Sequence, residues 1–308
     1  MPEAQMDIAL GFTIPSRNVR GRIVRLGPVV DDVLSAHAYP PAIARLLAEA
    51  LALAALLGTT LKDVGGQLTM QAQTENGAVS LLVADYKPDA QGIGDLRGYV
   101  QFDVDRLVEM GGDPSLFGLF GKGYLAITFD QIANEQGVGG RYQGIVPLEG
   151  ASLGKAAEHY FAQSEQIPSF VQIDVRQDAD GWIAGGVLIQ HLPEGEVGRE
   201  RLHVRHDHPE WEHVQILAET LKAEELTDPE LALEEVLWRL FHEEDEVRVT
   251  ARTGLAKGCR CNITHFRDVL SRFPAPDRVE MADEQGNINV DCAFCSRIFP
   301  VSLAGFSN

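Results

Sequence analysis

Four cysteines hold the chemistry in this sequence, and they lie in two close pairs. Cys259 and Cys261 sit in Gly-Cys-Arg-Cys, and Cys292 and Cys295 in Asp-Cys-Ala-Phe-Cys. Thirty residues separate the pairs, and no thiol occurs upstream. Thiolates placed two and two suit a tetrahedral zinc ion, because each pair supplies one edge of the tetrahedron and the intervening loop brings the edges together. Cys-x-x-Cys is a common zinc knuckle. Cys-x-Cys is rarer, since ligands at i and i+2 put two sulfurs on one face of an extended segment. The same thiolates can be oxidised to disulfides with loss of the metal. Lys257, just before the first pair, and Arg260, inside it, favour thiolates. Cysteines scattered through a core are the plainer alternative, but buried thiols do not usually gather at one end of a chain. Cys259, Cys261, Cys292 and Cys295 are therefore the expected ligands of one zinc ion.

The rest of the composition narrows the setting. With 308 residues, 45% of them hydrophobic, the chain can build a real core, as one large domain or two to three smaller ones. Lys and Arg number 26 against 45 Asp and Glu, for a net charge of −19. That balance argues against a nucleic-acid partner, which would need clustered cations. Met1–Leu10 carries Glu3 and Asp7 and lacks the apolar stretch of a signal peptide. No apolar run predicts a membrane span, so the expected location is cytoplasmic. In a reducing cytosol, metal binding or redox sensing outranks a disulfide scaffold. His203, His206, His208 and His265 read as surface residues, because four thiolates already complete a tetrahedron.

Alternation predicts a half-exposed strand over Ser16–Leu26, with Arg20, Arg22 and Arg25 facing outward. An apolar helix spans Pro41 to Leu57 and is closed by Gly58. Strands on either side of Glu75-Asn76-Gly77 form a hairpin whose turn residues take positive φ. Further strands are expected at Gly98–Asp103, Gly123–Asp130, Arg141–Pro147, Ser169–Arg176 and Trp182–Leu188, with a helix at Ser152–Gln166. The glycine-rich stretch around Asp113-Pro114-Ser115 lacks a phosphate-loop pattern and reads as an ordinary loop. After Pro193 an acidic region predicts helices at Pro209–Ala223 and from Thr227-Asp228-Pro229 to about residue 243. The expected fold is α+β: a two-layer, mostly antiparallel sheet-and-helix domain over 1–193, a helical linker over 194–250, and a small four-cysteine zinc module over 251–308.

Taken together, the cysteine pattern and several upstream segments resemble the thirty-three-kilodalton heat-shock chaperone family, the redox-regulated zinc holdases. The segments are Tyr39-Pro, Gly66-Gln-Leu-Thr-Met-Gln-Ala-Gln, Leu82-Val-Ala-Asp-Tyr, Tyr142-Gln-Gly-Ile-Val-Pro-Leu, Glu165-Gln-Ile-Pro and Arg239-Leu-Phe-His-Glu. Departures are small: Asn262 follows the first pair where the family often has serine, and Ser-Arg-Ile-Phe-Pro follows Cys295 in place of a tyrosine-containing end. The resemblance implies a cytoplasmic, ATP-independent, non-enzymatic chaperone that is off when reduced and holds one zinc ion. It implies disulfides Cys259–Cys261 and Cys292–Cys295 on oxidation, loss of zinc, unfolding of the module and then the linker, and homodimers that hold unfolding or aggregation-prone client proteins. Two other classes compete. A constitutive zinc adaptor would not respond to oxidation. A thiol-disulfide oxidoreductase would use Cys292 and Cys295, but that pair lacks the βαβ context of a thioredoxin-like site.

Overall fold

The computed structural model describes residues 6–61, 65–74, 76–112, 114–131, 140–192 and 207–306. Glu75, Asp113, His203, His206 and the expected boundary at 193 lie outside the described residues. The organising element is α2 (Pro41–Gly58), whose proline occupies the first turn, where its missing N–H costs nothing. Its leucines and alanines are buried on nearly every side. Among the described residues it is the one helix long and apolar enough to cross a membrane. Here protein surrounds it instead. A ten-stranded sheet curls around it.

The strands are β1 (Ile8–Ile14), β2 (Val19–Leu26), β3 (Gln67–Thr74), β4 (Val79–Pro88), β5 (Gly94–Phe102), β6 (Gly123–Asp130), β7 (Arg141–Pro147), β8 (Ser169–Asp178), β9 (Gly181–His191) and β10 (Arg248–Lys257). Their order is β7-β6-β3-β4-β5-β10-β1-β2-β9-β8. Neighbours are antiparallel except β10 and β5, which run parallel with Leu255 opposite Gly94 and Lys257 opposite Leu96. The two edge strands, β7 and β8, both touch α5 (Leu153–Tyr160), so this helix fills the gap left by the curl. β10 straddles the expected boundary between 250 and 251 and lies inside the large sheet.

Alternation along the strands sends side chains to two different cores. Ala9, Val24, Leu26, Ala184 and Leu188 face α2, joined by α1 (Pro28–Leu34). Leu10, Phe12, Ile14, Val19, Ile23, Val187 and Ile189 face the opposite way. Over that second face lie α6 (Pro209–Glu219), α7 (Ala223–Thr227) and α8 (Leu233–Phe241). Trp211, Val214, Val236, Leu237, Leu240 and Phe241 complete the second core, each worth about 1.5–3 kcal/mol when fully buried. The α+β organisation and the helical linker are as expected, and the linker forms an extra layer on this half of the sheet.

Several local expectations change. β1 was not anticipated, because both of its faces are buried and the period-2 signal disappears. Arg25 is not outward-facing but fully buried. Pro15–Arg17 is a helical turn, and the strand starts only at Val19. Gly77 lacks positive φ. Gly77 is needed for another reason: a Cβ there would strike the Leu119 and Phe120 backbone at the end of α4 (Leu116–Phe120). Gly58 similarly stays helical and makes room for the Tyr86 ring. The glycine-rich loop holds α4 and α3 (Val104–Met110), capped by Ser115 and Asp103. The second linker helix begins at Leu233, since Thr227 ends α7 and Asp228-Pro229 forms the turn between them.

Candidate metal centre and its docking on the sheet

The cysteine pairs are held by two different local structures. Cys259 and Cys261 follow the end of β10, where Gly258 N donates to Leu96 O of β5 at 2.9 Å. Asn262 then caps α9 (Ile263–Leu270), its Oδ1 accepting from Thr264 N at 2.8 Å. The first pair is thus fixed between a sheet strand and a helix start. Cys292 and Cys295 form the turn of a separate hairpin, β11 (Asn287–Asp291) and β12 (Ile298–Ser302). Cys295 N and Ser296 N both donate to Cys292 O, at 3.3 and 2.8 Å, and Ser296 takes φ 52°. This knuckle winds the chain so that both thiols face one side.

The fold brings all four sulfurs together within 4.8 Å of one another. Cys259 Sγ lies 3.3 Å from Cys261 Sγ and 3.6 Å from Cys292 Sγ, and Cys261 Sγ lies 3.6 Å from Cys295 Sγ. A tetrahedron with metal–sulfur bonds of about 2.3 Å has edges of about 3.8 Å, so the donor set fits a zinc-sized ion. Burial raises the Cys259 thiol, but hydrogen bonds from the Cys261 amide and the other three thiols outweigh it and bring it down to about 7. Burial and the neighbouring thiols push Cys261 up to about 12. Cys292 is also raised, chiefly by burial. One thiol therefore ionises most easily, and its sulfur is stabilised by the protons that remain on the others.

Little besides the sulfurs holds this module together. Its buried apolar core among the described residues is Leu270, Ile288 and Val301, with Phe266, Val290, Leu303 and Phe306 packed around them. Such a core is too small for independent stability, the situation in which small domains use a metal or disulfides. α10 (Ala275–Glu280) contributes no buried side chain.

The module is stacked on the sheet. Arg260 Nη2 donates to Asp85 Oδ2 at 3.2 Å and Nη1 to Gln67 Oε1 at 3.3 Å. Lys257 Nζ donates to Asp32 O. The two basic neighbours of the first pair are thus engaged with the sheet domain. Phe294, inside the second pair, packs its face under the Arg97 guanidinium, 3.8 Å from the ring centroid. It meets Tyr99 edge-on at 4.9 Å. His37, in the loop before α2, reaches Ala293 O from Nε2 at 2.9 Å and Ser296 Oγ at Nδ1 at 3.1 Å.

The chain matches the model of the family described as Hsp33 protein over residues 7–302. A 33 kDa chaperonin of Caulobacter vibrioides is 40% identical over 306 residues, covering 97% of this chain and 96% of the relative. One from Yersinia pestis is 35% identical over 286 residues, covering 92% and 88%. The chain belongs to the Hsp33 family. Among solved structures, the 33 kDa chaperonin (heat shock protein 33 homolog) of Thermotoga maritima matches with a TM-score of 0.76 and 25% identity, covering 97% of this chain and 96% of that one. An Hsp33 membership fits the four-sulfur cluster on a thinly packed module.

The remaining candidates fall away from the Hsp33 centre. His265 is exposed and lies outside the sulfur cluster. His208 caps α6, its Nδ1 accepting from Glu210 N at 3.3 Å. Cys292 and Cys295 sit in a hairpin turn, not at the start of a helix where a thioredoxin-like pair is activated. Sequence reasoning missed His37, Asp85, Arg97, Tyr99 and Phe294 as partners of the centre. The available signal was Asp85, a carboxylate within the apolar run Leu82-Val-Ala-Asp-Tyr, because a buried charge needs a partner.

Proposed function

We propose that this protein is a redox-regulated, ATP-independent holdase of the cytoplasm, non-enzymatic, whose switch is the four-cysteine centre. The reading rests chiefly on one observation: four sulfurs at tetrahedral spacing support a module whose apolar cluster has three buried members among the described residues. In the reduced state Cys259, Cys261, Cys292 and Cys295 hold one zinc ion, which crosslinks the module. Peroxide takes two electrons from each thiolate pair and two protons from solvent, giving disulfides Cys259–Cys261 and Cys292–Cys295 while each peroxide becomes two waters. Disulfide sulfurs are no longer thiolates, so the cysteines lose their grip on the ion. The module then unfolds, and α6–α8 lose the docking that depended on it. Their apolar faces and the sheet face beneath become available to unfolding clients, and the exposed surfaces also pair copies into homodimers.

The functional division follows from this scheme. A sheet body includes residues to about 192 together with β10, the linker cover runs over the acidic helices, and the switch module begins near Gly258. Neither nucleic acid nor membrane enters the scheme.

The test combines chaperone and metal readouts on one preparation. Aggregation of a thermally unfolding client is followed with reduced protein and with protein treated with peroxide at elevated temperature, alongside zinc content and free thiols. The expected result is one zinc and four thiols before treatment, none of either after it, and suppression of aggregation only afterwards. Equal suppression by both forms sinks the switch. Zinc retained through oxidation instead makes the centre a constitutive structural module and favours an adaptor.

A further inference from the structure

Each cysteine pair encloses one side chain that reaches the large sheet, and both reaches end on one carboxylate. Arg260, between Cys259 and Cys261, donates directly to Asp85 Oδ2. Phe294, between Cys292 and Cys295, lies under Arg97, which donates to the same Oδ2 from Nε at 2.8 Å and Nη2 at 2.6 Å. The Asp85 side chain is 3% exposed. It belongs to β4, far in sequence from every cysteine.

We propose that Asp85 is a positioning residue for the cysteine centre: through Arg260 and the Arg97–Phe294 stack it holds the module docked, and so governs how readily the four sulfurs release metal and meet solvent reagents. The proposal rests on the metal reading above. Its physical basis is linkage. Docking stabilises the arrangement in which the sulfurs converge, so convergence and docking strengthen one another by the same factor. A buried carboxylate shared by two guanidiniums is also a point where a small change has a large effect, because removing it leaves two cations facing each other with their shared hydrogen-bond acceptor gone and Asp95 as the remaining carboxylate acting on Arg260. Gln67 and His37 widen the docking surface, but neither joins the two cysteine pairs through a single atom as Asp85 does.

Geometry adds a directional element. Arg260 and Phe294 lie inside the segments whose backbone must tighten if either pair closes on itself. The latch is therefore built into the switch, and its receptor lies on the rigid sheet.

The experiment uses the full-length reduced protein and the variants Asp85→Asn, Arg260→Gln, Arg260→Lys and the Asp85→Asn/Arg260→Gln double. Zinc transfer to a chromogenic chelator and thiol alkylation are timed, with thermal unfolding of the sheet body as the folding control. Asp85→Asn and Arg260→Gln should each accelerate both processes about tenfold, within the range of about 5–150-fold usual for coupled sites. The double variant should be no faster than the faster single variant, and Arg260→Lys should fall between Arg260→Gln and wild type. Unchanged rates in a folded Arg260→Gln protein, or effects that multiply in the double, overturn the latch. Arg260→Gln alters only the module side, so the outcome stands even where Asp85→Asn disturbs the sheet. Should the wild type hold no zinc, the metal reading falls, and the alkylation rates still decide the latch.

Discussion

Glu49 on α2 shows how one side chain can bind two elements and sense pH. Its Oε1 accepts from Leu153 N at 2.8 Å, so a carboxyl from α2 caps the start of α5. Burial pushes this carboxyl up to about 7 from 4.5, against the pull of the Leu153 and Gly154 amides and Arg45. A raised folded-state value favours the native state below the unfolded value, and that advantage is lost as pH rises through the folded one. Stability should therefore fall between pH of about 5 and 7.5, by roughly 3 kcal/mol. Glu49→Gln keeps the acceptor and removes the titration, so denaturant unfolding across that range should show the wild type losing stability relative to the variant. A parallel pH dependence in both proteins rules out Glu49 as the source. Nothing in the sequence separates Glu49 from the exposed glutamates that helices carry. Asp85 and Arg25 are similar: the strand pattern assigns a face, while the partner that makes burial tolerable comes from residues far away in the chain.

Arg25 shows this at the level of elements. Its guanidinium donates to Leu226 O at 2.8 Å, Glu225 O at 2.9 Å and Leu231 O, gathering the end of α7 and the turn before α8. The sheet thereby pins the linker cover with hydrogen bonds to two carbonyls of the last turn of α7 and one of the loop that follows it. Burial draws the group down to about 10, still cationic at neutral pH. Arg25→Met retains an apolar stem and loses all three bonds, which should weaken docking of residues 223–231 by about 3 kcal/mol. Faster amide exchange there, with holdase activity appearing in the reduced form, is the expected outcome; unaltered exchange would falsify the pin. The hairpin β3–β4, strands β6 and β7 and helix α2 were legible because alternation or helical spacing survived in them. β1 was hidden by burial on both faces. β10, largely exposed and polar, joins the sheet through backbone pairing that leaves no periodic trace. The cysteine spacing showed the centre itself, whereas its docking residues belong to tertiary structure, and of them Asp85 alone left a sequence signal, as a carboxylate in an apolar run.

Across the whole molecule, stability is distributed unevenly. The body encloses α2 with a large continuous core, the linker cover shares a second core with the sheet, and the module's apolar cluster has three buried members among the described residues. A structural zinc ion held by the four sulfurs would contribute on the order of 10–16 kcal/mol of apparent binding free energy, more than a module of this size generates by packing. Chelation of the reduced protein should therefore expose residues 258–306 to protease while the body resists. Limited proteolysis followed by mass analysis reads this directly, and a chelated protein cut first within the body would contradict the division.

The position of β10 also bears on how the protein is made. Ribosomes deliver the chain from its N-terminus, yet the strand joining the β7–β5 half of the sheet to the β1–β8 half is residues 248–257. Until that segment emerges, the nascent chain holds two partial sheets with bare edges at β1 and β5, joined mainly across α2. Unpaired edges are templates for mispairing. Closure of the body therefore waits until Lys257 has emerged, and a chaperone of this design passes through its own synthesis with an open seam.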